Sequence, residues 1–127
     1  MSEVEHFKHE NFLSQRRLVG FDLRQEIARI KGLPAWIGGD HHGESLIKTD
    51  GLNVALLVFK KGARLAEHRN KESFTVHVLE GEIAFIAEGA THRLTPGMVL
   101  ALEHMIPHTV EAVEDAAFLL TVGGIAA

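Results

Sequence analysis

Residues 62–81 read GARLAEHRNKESFTVHVLEG, and residues 96–112 read PGMVLALEHMIPHTVEA. In the first stretch Phe74, Val76 and Val78 alternate with Thr75, His77 and Leu79, the period-two pattern of a strand with two unlike faces. In the second, Pro96 and Gly97 suit the central positions of a type II turn. Working outward, LNVALLVF (52–59), FTVHVLE (74–80), EIAFIA (82–87), THRLT (91–95), MVLAL (98–102), TVEAV (109–113) and AAFLLTV (116–122) are all short, apolar and rich in strand formers. Turn residues separate them: Gly51, Lys61–Gly62, Gly81, Glu88–Gly89, Pro96–Gly97 and Glu114–Asp115. Regular short strands with such joints predict an antiparallel sandwich or barrel, and the pattern alone does not choose between an immunoglobulin-like sandwich and a jelly roll.

Upstream of the strands, FDLRQEIARIKG places Leu23, Ile27 and Ile30 on one helical face. Asp22 and Gln25 are spaced as a capping box, Arg29 and Lys31 fall in the last turn, and Gly32 before Pro34 is the stop. Before it the chain is polar, with Phe7, Phe12 and Leu13 the apolar residues of a loosely held arm. The expected organisation is one domain, an arm and short helix over 1–35 followed by a barrel over 36–127. The chain has 127 residues, 46% of them hydrophobic, enough for an ordinary core. It has no cysteine, so disulfides and thiolate chemistry are excluded. With a net charge of −4 and no basic stripe, nucleic acid is not an expected partner. No apolar run approaches the roughly 18 residues of a membrane span, and the charged start MSEVEHFKHE is unlike a secretory signal, so a cytoplasmic protein is expected.

The two opening stretches resemble the two signature motifs of the cupin superfamily. The first motif reads Gly, five residues, His, one residue, His, three or four residues, Glu, six residues, Gly. Gly62, His68 and Gly81 fall in place without a gap, with Asn70 at the second His and Phe74 at the Glu. The second reads Gly, five residues, Pro, one residue, Gly, two residues, His, three residues, Asn. Gly97 and His108 match it, whereas Glu103, Met105 and Ala112 do not. The resemblance implies a mainly β fold, a double-stranded β-helix or jelly-roll barrel of the small RmlC-like kind with a short N-terminal helix, and commonly a homodimer. A dimer would also cover the two apolar faces of LNVALLVF.

In that family three His and one Glu converge on a divalent metal, so the resemblance makes His68 and His108 the two retained ligands. Two imidazoles need a third donor. Strand alternation opposes Phe74 to His77: if Phe74 faces inward, His77 faces outward, unless a β-bulge between Asn70 and His77 swings His77 in. One expectation is therefore a site of His68, His77 and His108 for Fe, Mn, Ni or Zn, with Asn70 or Glu72 as further donors. The other is a metal-free pocket of His68, Asn70, Phe74, Phe85 and His108 for a small, partly apolar ligand. Function divides accordingly between a small-molecule-binding module and a metal-dependent dioxygenase, isomerase or decarboxylase using His68 and His108. Elsewhere, Asp40, His41, His42 and Glu44 read as a solvated loop, and Trp36 as a packing residue.

Overall fold

The computed structural model describes residues 18–123. The arm over residues 1–15 lies outside them. Helix α1 spans Leu23–Lys31 and α2 spans Pro34–Ile37. Nine strands follow: β1 His41–Lys48, β2 Leu52–Phe59, β3 Arg64–His68, β4 Phe74–Glu80, β5 Ile83–Ala87, β6 Ala90–Leu94, β7 Val99–Leu102, β8 His108–Ala112 and β9 Ala116–Gly123. They form two antiparallel sheets, a five-stranded one in the order β1-β2-β9-β4-β7 and a four-stranded one in the order β3-β8-β5-β6. Apart from the β1–β2 and β5–β6 hairpins, neighbours in space are distant in sequence, as in a jelly roll.

Alternation decides which side chains fill the space between the sheets. Phe59, Phe74, Val76, Val78, Ile83, Phe85, Val110 and Phe118 are buried in one cluster. On the outer face of the large sheet, Leu56 and Val58 form a second cluster with Leu46 and Ala117. Their cover is α1, whose Ile27 and Ile30 are 4% and 0% exposed. The chain's own helix thus covers Leu56 and Val58 on the outer side of LNVALLVF.

Asp22 caps α1 by accepting from the N–H groups of Arg24 and Gln25. Arg29 locks the helix to β1: it donates to buried Glu26 at 3.0 Å and through both Nη atoms to Glu44. The paired guanidinium holds the Glu44 carboxyl below the usual carboxylate range. Asp40–Glu44 is not the solvated loop its composition suggests. Residues 41–48 form edge strand β1, in which His42 reaches the Glu44 carboxylate at 3.2 Å and His41 reaches Asp40 at 2.7 Å. Trp36 sits in α2, packed against the second cluster, with the Lys60 ammonium 4.6 Å from its ring centre.

Gly81 closes the first motif for a steric reason. Its φ is +72°, and a Cβ there would lie 2.0 Å from the Asp115 carbonyl oxygen. Met105, at the second motif's glycine position, has φ +65°, in the left-handed region that favours glycine. Pro96–Gly97 makes the expected turn, Met98 N–H donating to Thr95 O at 3.0 Å.

Candidate functional site

β3 and β8 carry the two motif histidines. Their pairing includes Leu65 opposite Val110 and ends with His68 opposite His108, with an irregularity between Leu65 and His68. Leu65 packs on the interior cluster, so strict alternation would send His68 outward. The bulge reverses this and aims His68 at His108. The two Nε2 atoms are 3.1 Å apart. Each ring is fixed from behind in the same way, His68 Nδ1 lying 2.9 Å from Ala66 O and His108 Nδ1 lying 2.9 Å from Ile106 O. His108 is 3% exposed, whereas His68 is exposed and marks the rim.

The pair faces a cavity of ≈60 Å³, whose walls also include Asn70, Leu57, Phe74, Phe85, Phe118 and Leu120. Phe85 stacks on His108 with ring centroids 5.2 Å apart and an interplanar angle of 12°. Phe74 packs on the same imidazole at 5.0 Å. Desolvation by these walls holds the His108 imidazolium below its ordinary range, the Ile106 carbonyl opposing and the neighbouring His68 adding to the effect. Backbone atoms tie the rim together, Met105 N–H donating to Asn70 O at 2.7 Å.

His68, Asn70, Phe74, Phe85 and His108 are therefore brought together, and His77 is not. β4 pairs regularly with β9 from Phe74 to Val78, and its irregularity falls between Val78 and Glu80, beyond His77. Phe74, Val76 and Val78 consequently face the core, and His77 lies on the outer face opposite Leu119 and Val99. The expected set of His68, His77 and His108 is corrected on this point. Glu72 and Glu67 do not line the cavity either. His92 and His104 are exposed.

This donor set does not fit the family's divalent ion. A transition metal of this type takes three or more protein donors, and the cavity offers two imidazoles and one amide, with a phenyl ring in the carboxylate's place. Among the described residues no group of three or more His, Cys, Asp or Glu could hold a metal ion. The interior wall positions Leu57, Val76, Phe118 and Leu120 follow from strand alternation. The β3 bulge has no counterpart in the sequence pattern.

A family model described as the cupin domain matches residues 55–123. Among solved structures, an RmlC-like cupin from Desulfovibrio desulfuricans is 25% identical, with a TM-score of 0.62, over 93% of this chain and 97% of that one. A conserved Streptococcus pyogenes protein of unknown function is 24% identical, with a TM-score of 0.64, over 68% and 76%. Salicylate 1,2-dioxygenase from Pseudoaminobacter salicylatoxidans is 19% identical, with a TM-score of 0.63, over 80% of this chain and 30% of that one. No curated protein matches the sequence. Identities this low speak for architecture and leave the chemistry to the residues present. Since the family model spans more than half of the 127 residues and the two sheets close as that fold requires, the chain belongs to the cupin family.

Proposed function

We propose that this cupin binds a small, partly apolar molecule in its barrel and does so without a metal ion. The observation that carries the reading is the contact between the His68 and His108 Nε2 atoms inside a hollow otherwise walled by Asn70 and by Phe and aliphatic side chains. Such a site gives an apolar body its packing and a single polar end its orientation. The cavity of ≈60 Å³ is several times what a single water needs. It takes the polar end of a ligand, or a very small ligand whole.

The rival reading, a metal-dependent enzyme, has the retention of His68 and His108 in its favour and lacks a third strong donor. A homodimer in the cytoplasm belongs to the proposed picture. Its support is the part of the large sheet's outer side beyond α1, where Val99 is 58% exposed and Leu52 is 37% exposed. Among the described residues no helix is long and apolar enough to cross a membrane.

The test is a fragment screen followed by methyl and aromatic NMR. Binding should move the signals of Leu57, Leu65, Leu120, Phe74 and Phe85 together. Fragments that bind only elsewhere, or none that bind, would remove the reading.

A further inference from the structure

The hydrogen-bond inventory of the two histidines narrows the ligand class. A carbonyl oxygen can only accept, so each Nδ1 facing one must carry a proton. Two neutral imidazoles own two ring protons in all, and the two carbonyls use both. Three contacts have to be satisfied, the third being Nε2 to Nε2 at 3.1 Å. The pair is one proton short, and two lone pairs meet. Among the described residues neither Nε2 has any hydrogen-bond partner but the other, and the side chain of Asn70 bonds to neither although it lines the same hollow.

Resting on the binding function proposed above, we infer that the buried end of the ligand must bring its own hydrogen-bond donor, an O–H or N–H, to the two Nε2 atoms. Molecules that only accept are rejected. Water can meet the same need in the free protein, and a ligand that displaces it without replacing its donated bond loses affinity. The cavity size restricts the donor to a compact group such as a hydroxyl, a primary amide or an azole N–H.

Pyrrole and furan test this directly, because they are rings of nearly the same size, one with an N–H and no strong acceptor, the other with an acceptor and no donor. The protein is labelled with ¹⁵N histidine and titrated with each at pH 7.5. In the free protein both Nε2 signals are expected to be those of unprotonated nitrogen and both Nδ1 signals those of N–H. Pyrrole should shift both Nε2 signals, and furan should bind at least about tenfold more weakly, the effect of leaving the buried His108 acceptor without a donor. Equal binding of the two rings would overturn the donor requirement and leave small-molecule binding standing. A protonated Nε2 in the free protein would overturn it without reference to any ligand. Failure of both rings to reach the cavity would overturn the donor requirement and the binding function together.

Discussion

Replacing Phe74 with Glu puts back the carboxylate that the cupin motif carries and tests why this site stands apart from it. Phe74 is 4% exposed and packs against Phe85 at 6.3 Å and His108 at 5.0 Å. Losing the ring amounts to about 3–5 kcal/mol by comparison with other buried Phe truncations. The one methylene that Glu adds beyond Ala returns about 0.8 kcal/mol, and burying its carboxyl group costs about 1–3 kcal/mol more. The net destabilisation is about 5 kcal/mol, which moves a urea midpoint by about 2.5 M. That value applies in the presence of a chelator. Manganese or zinc at about 100 times its dissociation constant should restore about 2.7 kcal/mol to the variant, because the introduced carboxylate would give the two imidazoles their third donor. Phe74→Leu serves as the folding control, smaller in effect and indifferent to metal. Urea melts of wild type and both variants, each with chelator and with metal, decide the matter. If the wild type gains as much from metal as Phe74→Glu does, the two imidazoles suffice and the reasoning fails.

Gly81→Ala should destabilise by about 3 kcal/mol or more, since its Cβ meets the Asp115 carbonyl at 2.0 Å. Gly62→Ala, with φ +87° and nothing within 4 Å, should lose only about 1–2 kcal/mol through backbone strain; thermal or urea melts will order the two, and a reversed order refutes the packing argument. Stability should fall with acidification in two steps. His108 has a depressed folded pKa, so its contribution is present above the ordinary 6.5 and lost as pH falls below it. Glu44 behaves in the same sense below 4.5, and Arg29→Met should remove that lower step; a variant with the wild-type acid profile would contradict the Arg29–Glu44 link. Sedimentation at micromolar concentration should give a dimer, and Val99→Glu should shift it toward monomer; a monomeric wild type would refute the proposed interface.

β2 and β4 are readable from the chain because each sets apolar side chains between turn residues. β1 is not, because an edge strand carrying His41, His42, Gly43, Glu44 and Ser45 shows almost no apolar signal, and its strand character comes from pairing with β2. β3 is hidden for a similar reason, with Leu65 its one inward aliphatic residue. The two alternatives for His77 turn on where a bulge falls, and bulges answer to pairing partners distant in sequence. One lies in β3, where it turns His68 inward, and one lies past Val78 in β4, where it leaves His77 outside. The spacing of Gly62, His68, Gly81, Gly97 and His108 is enough to read the barrel. The contact between the two Nε2 atoms depends on that β3 bulge and on backbone carbonyls, neither of which a residue pattern encodes.

Metal-free operation of the barrel is tested most directly by equilibrium dialysis of the wild-type protein, produced without a polyhistidine tag, against Fe, Mn, Ni and Zn in turn at micromolar concentration, followed by elemental analysis. Two imidazoles without a carboxylate should retain well under one equivalent of each ion. One full equivalent of any of the four, lost on replacing His108 with Ala, would contradict the binding-module reading and return the site to metal chemistry.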